Sequence, residues 1–195
     1  MNKTAAQFYG VLKISRDCRD MPDLHVPCAD YGIWTDHRIP DDRSGWHPAA
    51  RAFYEYWLAI TPPGQLPGRQ HIKPEDIVPL LSRVWLADVY RDPLRLRFRL
   101  AGTAAVWSFG REVTGQWLDE VQPIWLRDPT VYERFRFTVE TGRPTWRRGF
   151  SLWDRDPEHR RVENCHVPLA RDGKNVDMIF SLAVIFDHKG HEIRI

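Results

Sequence analysis

Apolar and polar residues alternate with a period of two before a glycine at position 102. Leu94, Leu96, Phe98 and Leu100 occupy every second position, and the three residues between them are arginines. This alternation is the signature of a β-strand with one buried face and one solvated face. Gly102 follows directly and can turn the chain, because it has no Cβ to restrict its backbone. The pattern therefore predicts a strand that ends in a turn near residue 102.

A short helix is predicted directly after this strand, over residues 103–109. Thr103 can cap the free N–H groups of its first turn, and Gly110 can end it. Trp107 and Phe109 supply apolar side chains between these two residues. The strand and the helix together place bulky apolar groups beside one predicted core.

Periodicities elsewhere in the chain complete an α+β pattern. The other predicted helices are one over 48–60, a short one from position 74, and a longer one that Asp128 can cap, that begins at Pro129 and that ends by Gly142. The other predicted strands are 84–90, 145–153, 162–170 and 176–186. We expect a five-stranded antiparallel sheet with helices packed on one face, preceded by an N-terminal helix and an irregular extension. The last strand is nearly all apolar, which favours a central position. Pro168 cannot donate to a strand ladder, so the fourth strand must end, bulge or meet solvent there.

Several short motifs accompany this order of elements. They are Leu-Pro-Gly-Arg at 66–69, Ile72 with Pro74, Asp-Ile at 76–77, Arg-Phe-Arg-Leu-Ala-Gly at 97–102, Phe-Gly-Arg at 109–111 and Thr-Gly at 114–115. Over residues 48–187 the chain resembles the PAS domain, specifically the compact alphaproteobacterial PAS-like family. The resemblance implies a bacterial sensory or adaptor protein, and it names no particular ligand.

The same resemblance suggests how the chain is divided. Residues 1–47 are an irregular N-terminal extension, residues 48–83 are helices that flank the domain, residues 84–187 are the PAS-like domain, and residues 188–195 are a C-terminal tail. A helix ahead of the sheet often serves as a dimer contact in PAS proteins, so the resemblance implies a homodimer through the helix over 48–60.

The amino-acid composition limits the cellular compartments and the classes of partner that we expect. Lys plus Arg number 28 against 26 for Asp plus Glu, so no strong net charge attracts the protein to nucleic acid or to an anionic membrane. Three scattered cysteines do not suggest a disulfide framework. No apolar run resembles a signal peptide or a membrane span. We therefore expect a cytoplasmic protein without membrane insertion and without a nucleic-acid partner.

Seven side chains are predicted to line a ligand cavity between the sheet and the helices. They are Phe98, Leu100, Trp107, Phe109, Arg111, Trp117 and Phe135. Large aromatic residues also fill an ordinary core, so a filled core without a ligand is the alternative interpretation. Arg111 can hold a carboxylate or phosphate, or it can brace a loop by donating to backbone carbonyls.

The residues that bind flavin or haem in PAS domains have no counterparts in this sequence. Flavin photochemistry needs a reactive cysteine in an Asn-Cys-Arg-Phe-Leu-Gln run, and Asn164-Cys165-His166 repeats only its first two letters, in a strand pattern. Haem sensors usually place a histidine on the long helix, and residues 131–141 contain neither His nor Cys. The sequence therefore argues against flavin and haem, and the identity of any ligand stays open.

Four residues near the N-terminus offer a weak metal hypothesis. Cys18, His25, Cys28 and His37 could surround a zinc ion, but their spacing matches no standard zinc finger. Scattered residues in an irregular segment are the favoured interpretation.

Catalytic motifs of the common enzyme classes are absent from the sequence. The leading hypothesis is therefore a sensory or adaptor domain that binds a small molecule, a signalling protein or both, and that acts through contact. A structural interaction module without a ligand is the first alternative. A small enzyme with a cavity of similar shape is the second, and it would need an acid–base pair that points inward.

Overall fold

Five antiparallel strands form one sheet in the order β2-β1-β5-β4-β3. They are β1 (Val84–Tyr90), β2 (Arg95–Ala101), β3 (Thr145–Phe150), β4 (Arg161–Leu169) and β5 (Met178–Phe186). The computed structural model describes residues 39–122, 129–150, 161–187 and 189–194. The predicted α+β class and five-stranded antiparallel sheet are confirmed. The apolar β5 lies at the centre of the sheet, as its sequence predicts.

The helices lie close to the predicted positions. They are α1 (Pro48–Ala59), two 3₁₀ segments (Arg69–His71 and Pro74–Arg83), α2 (Thr103–Phe109), α3 (Leu118–Val121) and α4 (Pro129–Thr141). Gly110 ends α2 in the left-handed conformation, with φ of 70°, as predicted. The predicted cap of α2 is wrong: Gly102 is the N-cap, and Thr103 is the first helical residue. Asp128, predicted to cap α4, lies outside the described residues.

Helical segments cover both faces of the sheet. Helices α2, α3 and α4 pack on one face, against Trp85, Leu96 and Phe98. Helix α1 and the segment Pro74–Arg83 pack on the other, against β1, β4 and β5. The sequence predicts helices on one face only, and this expectation is wrong because the apolar residues of α1 cover the centre of the second face. Strand β4 is consequently buried over the eight residues from Val162 to Leu169.

Trp57 explains how β4 accommodates a proline. Its indole Nε1 donates to the carbonyl of Pro168 at 3.0 Å. Strand β3 pairs with β4 only as far as His166, so Pro168 lies beyond the end of the neighbouring strand. The backbone of Pro168 points to this open side, so its missing N–H breaks no hydrogen bond of the ladder. The Trp57 indole donates to its carbonyl there.

Glu163 ties the start of α1 to the sheet. Its carboxylate is fully buried, and Oε1 accepts from the backbone N–H of His47 at 2.8 Å and from Trp146 Nε1 at 2.9 Å. Arg148 donates to Oε2 through Nε at 2.8 Å. Because every contact is a charge-assisted hydrogen bond, this buried carboxylate is well satisfied. His47 caps α1 through Nδ1, so the tether acts at the first turn of that helix.

Glu192 lies in a C-terminal segment that pairs with the end of the central strand β5. Ile193 donates its backbone N–H to Ile185 at 2.8 Å, which extends the ladder beyond β5. The Glu192 carboxylate accepts from Arg83 and from Arg194. Burial raises the pKa of Glu192, but the hydrogen bonds from these arginines outweigh it and hold the pKa below its ordinary value of 4.5.

We expect Gly102→Ala to destabilise the protein by about 1–3 kcal/mol, because a Cβ at this position would lie 2.1 Å from the Leu81 carbonyl oxygen. The φ of Gly102 is −71°, which alanine adopts freely, so the conflict is steric. Gly45→Ala is the matched control, since a Cβ there meets nothing within 4 Å. Urea unfolding gives the free energy of unfolding of both variants. Equal values would contradict the close approach of residue 102 to the Leu81 carbonyl.

We expect Glu192→Gln to lower the free energy of unfolding at pH 7 by about 1–2 kcal/mol, because it removes charge-assisted hydrogen bonds. A carboxyl whose folded pKa lies below its unfolded pKa stabilises the protein above the unfolded pKa, and this contribution disappears as the pH falls through the folded pKa. The difference between wild type and variant should therefore shrink as the pH falls below the ordinary pKa of 4.5. Glu55→Gln is the control, since its carboxylate lies 3.9 Å from Arg51 and is largely exposed. A stability difference that persists at low pH would contradict the stabilising role of the ionised Glu192 carboxylate.

Candidate functional site

Two rows of side chains cross β5, β4 and β3 on the face that α4 covers. The first row is Ser181, His166 and Thr145, and the second is Ala183, Asn164 and Arg147. Residues two apart on a strand share a face, so the two rows are adjacent. Every side chain in both rows is at most 8% exposed. We call the five polar members, together with Arg134 of α4, the buried polar cluster.

Arg134 connects α4 to the two rows. Its Nη1 donates to Asn164 Oδ1 at 2.8 Å, and its Nη2 contacts His166 Nε2. Burial, and then the charge of Arg147, lowers the pKa of Arg134. Arg134 and Arg147 make further contacts as well. Two guanidinium groups thus share a region from which water is largely excluded.

His166 is neutral in this arrangement. Burial lowers its pKa, and the charges of Arg134 and Arg147 lower it further. Because Nε2 faces the donor Arg134, Nδ1 carries the proton and donates to Ser181 Oγ at 2.7 Å. The ring therefore cannot accept the serine proton, and this Ser–His contact does not activate a nucleophile.

Polar atoms of Asn164 and Thr145 in the buried polar cluster are unused. Within the described residues, neither Asn164 Nδ2 nor Thr145 Oγ1 has a hydrogen-bond partner. Asn164 is 1% exposed and Thr145 is fully buried. A buried polar atom without a partner costs about 1–3 kcal/mol, which is why such atoms are rare and often mark a function.

Aromatic rings form an apolar wall beside the cluster. The Phe135 ring lies 4.6 Å from the His166 ring, and the Trp85 ring lies 5.6 Å from it. Trp85 also contacts Phe98, and Phe98 contacts Phe109 at 5.1 Å. The structure thus brings together Phe98, Phe109 and Phe135 of the predicted site residues.

The other four predicted residues do not join this wall. Leu100 is 45% exposed and pairs with Leu86, so its predicted inward position is wrong because a register shift follows at Ala87. Trp107 is 39% exposed and Arg111 is exposed. Trp117 lies outside β2, against Tyr90 and under the guanidinium of Arg95.

The helix predicted as a dimer contact and the arginines that alternate along β2 all make internal contacts. Ala50, Phe53 and Trp57 of α1 are buried against the sheet, so these side chains are not available to a dimer partner. Arg95 pairs with Asp119 at 2.8 Å, and Arg99 pairs with Asp88 at 2.9 Å. Arg97 donates to the Gly115 carbonyl at 2.8 Å.

The polar half of the site was missed from the sequence. Asn164 and His166 fall on alternate positions of an otherwise apolar strand, which is the signal that could have revealed them. No comparable pattern marks Arg134 or Arg147. Their approach depends on how α4 crosses the sheet, which no local pattern encodes.

A separate cleft of about 700 Å³ opens at the C-terminal end of α4. Leu66, Val139 and Val176 contribute apolar surface, and the residues at 140–141 and 173–175 add polar groups. None of the seven predicted site residues lines it. The cleft is therefore distinct from the buried polar cluster.

The described residues contain no group of three or more His, Cys, Asp or Glu side chains able to hold a metal ion. Cys18, His25, Cys28 and His37, which carried the metal hypothesis, lie outside the described residues. Burial raises the pKa of the Cys165 thiol, which makes it unreactive. Among the described helices, none is long and apolar enough to cross a bilayer.

Comparisons with known proteins find a family similarity over part of the chain. Residues 46–127, from the N-cap region of α1 to beyond α3, match the model of the PAS domain family. The solved structure of an RNA-binding light-oxygen-voltage receptor is similar over 75% of this chain and 35% of the receptor, with 18% identity and a TM-score of 0.38. No curated protein matches the chain. The family match over residues 46–127, which contribute β1 and β2 to the five-stranded antiparallel sheet, supports a PAS domain in this part of the chain.

Proposed function

We propose that this protein is a bacterial sensory domain that binds a small molecule between the sheet and α4 and signals by contact with another protein. A PAS domain is a sensory or signalling module in general. The buried polar cluster carries the finer proposal, because it interrupts an otherwise apolar core with unused donors at Asn164 and Thr145. A filled structural core gains nothing from such atoms, whereas a ligand that accepts hydrogen bonds would satisfy them.

A catalytic role fits this site less well. Among the described residues, Glu163 is the only carboxylate on β4, and it points to the opposite face, where α1 lies. His166 holds its proton toward Ser181 and so cannot serve as a base for it. An acid–base pair that faces inward, which the enzyme hypothesis needs, is not formed by these groups.

Strand β4 offers a route from the ligand to the protein surface. Asn164 faces the buried polar cluster, and its neighbour Glu163 holds the first turn of α1 on the other face. A shift of β4 on ligand binding would therefore move the attachment point of α1. We propose that α1 and its surroundings pass this change to a signalling partner or to a second copy of the chain in a homodimer.

The proposal is tested by a thermal-shift screen of the purified protein against a panel of metabolites, nucleotides and fatty acids. A ligand at 100 times its dissociation constant stabilises the folded state by about 2.7 kcal/mol, which corresponds to a rise in Tm of about 5 °C or more. We expect Phe135→Leu to reduce this rise, because Phe135 packs against His166 at the site.

Trp107→Ala is the matched control, since this large aromatic side chain lies at the surface. The ligand-induced rise, measured against each variant without ligand, should persist in Trp107→Ala. A rise that disappears in both variants or in neither would move the ligand away from this site. Silence across the whole panel, together with a bare polypeptide in native mass spectrometry of protein from its own host, would favour an adaptor without a ligand.

A further inference from the structure

We propose that the cleft at the C-terminal end of α4 binds a phosphorylated sugar or polyol, with its phosphate held by Arg91 and Lys174. The site is separate from the buried polar cluster, so it goes beyond the proposed function and does not rest on it. The volume of the cleft, two cationic side chains that line it and the last turn of α4 support the inference.

The cleft lies where distant parts of the chain meet. Its lining comes from positions 61–66 after α1, from the last turn of α4, from the loop between β4 and β5, and from Arg91 after β1. Leu66 donates its backbone N–H to the Gly173 carbonyl at 2.8 Å, which fixes the segment after α1 against that loop. The volume of about 700 Å³ falls within the range of roughly 300–1,000 Å³ that is usual for small-molecule sites. A sugar phosphate therefore fits the cleft.

Arg91 and Lys174 bring two positive charges to the same side of the cleft. Arg91 Nη2 donates to the Val176 carbonyl at 2.6 Å, and this contact holds the guanidinium against the loop that carries Lys174. Lys174 is two residues from Val176, so their Cα atoms are at most about 7 Å apart. A guanidinium has five N–H groups, so most of the donors of Arg91 are left for a ligand.

No carboxylate neutralises these two cations in the part of the chain that the structure describes. Glu140 is the single acidic residue among those that line the cleft, and its carboxylate lies 3.8 Å from Arg136. Asp172, in the neighbouring turn, does not line the cleft, and its Oδ1 accepts from the backbone N–H groups of Lys174 and Asn175. The side chain of Lys174 is exposed and makes no hydrogen bond or ion pair with the described residues. The cleft thus offers two cationic groups to an anion.

Two adjacent cations suit a phosphate monoester better than a single carboxylate. A phosphate monoester carries about −1.5 to −2 charges at pH 7 and presents three acceptor oxygens, whereas a carboxylate carries one charge on two oxygens. Arginine binds two phosphate oxygens with its planar fork, and lysine adds a compact charge to the third. Arg91 and Lys174 provide one group of each kind.

The rest of the cleft suits a body that carries hydroxyl groups. Helix α4 ends there at Thr141, and Gly142 follows in the left-handed conformation with φ of 65°. Carbonyl groups in the last turn of a helix lack N–H partners within it, so they can accept from ligand hydroxyls. The Gln65 amide adds a donor and an acceptor, and Leu66 and Val139 offer apolar surface to the C–H groups of a sugar. Inorganic phosphate would leave these groups without a partner.

The test compares phosphorylated compounds with their parents. Isothermal titration calorimetry of the full-length protein uses glycerol 3-phosphate and glucose 6-phosphate beside glycerol and glucose, with inorganic phosphate and succinate as further probes at matched ionic strength. We expect at least one phosphorylated compound to bind, and its parent, inorganic phosphate and succinate each to bind about tenfold more weakly or worse. Because both cations are close to solvent, the affinity should fall as salt is added.

Matched variants locate the phosphate. Lys174→Gln removes an exposed charge without an internal partner, so it should weaken binding about fivefold or more and leave the Tm of the free protein unchanged. Lys189→Gln is the control, since this lysine is also exposed but does not line the cleft. Arg91→Lys keeps the charge and loses the fork, so it should weaken binding less than Arg91→Gln.

The outcomes also separate the cleft from the buried polar cluster. Parent compounds or succinate that bind as well as the sugar phosphates would overturn the phosphate, and inorganic phosphate that binds as well would overturn the sugar or polyol. Equal affinities in Lys174→Gln and Lys189→Gln would overturn the assigned residues. Phe135→Leu should bind as the wild type does, and a loss confined to that variant would place the ligand at the buried polar cluster instead. Absence of binding by every phosphorylated probe would overturn the proposal and leave the sensory function to its own test.

Discussion

Strand β4 is buried on both faces, and each polar side chain that it carries must therefore find its partner inside the protein. Eight consecutive residues of this strand are buried, including Glu163, Asn164 and His166. A strand that lies between two helical layers is normally apolar throughout, because a buried polar group without a partner is costly. These three residues find their hydrogen-bond partners on the two faces against which α1 and α4 pack.

The two faces meet this demand in different ways. Glu163 accepts from His47, Trp146 and Arg148, which saturate its two oxygens and attach α1 to the sheet. On the other face, Asn164 and His166 are bound by Arg134, but the Asn164 amide nitrogen has no partner among the described residues. On one face the carboxylate of Glu163 is fully hydrogen-bonded, whereas on the other face the amide nitrogen of Asn164 can still donate. This asymmetry favours a binding role for the face toward α4.

Adjacent residues on β4 also couple the two layers. A change at Asn164 on one face displaces the backbone that positions Glu163 on the other, because neighbouring residues share one rigid peptide unit. The Trp57 indole holds the same strand at Pro168, five residues from Glu163. Helix α1 therefore contacts β4 at two points, and a displacement of this strand would move both contacts.

The sequence by itself determined the elements and their order, since strands and helices follow from periods of two and 3.6 and from glycine and proline at their ends. It placed β1 at residues 84–90, began the long helix at Pro129, and put Phe98, Phe109 and Phe135 in the core. Only the tertiary structure decided that α1 covers the second face, that Leu100 turns outward, and that Arg134, Asn164 and His166 meet. The contacts of Arg134 join residues 30 and 32 positions apart, those of α1 with β4 join residues 111 and 116 positions apart, and all depend on strand register and helix placement. Local patterns cannot specify such distances, because each side chain is selected by its partner across the fold rather than by its neighbours along the chain.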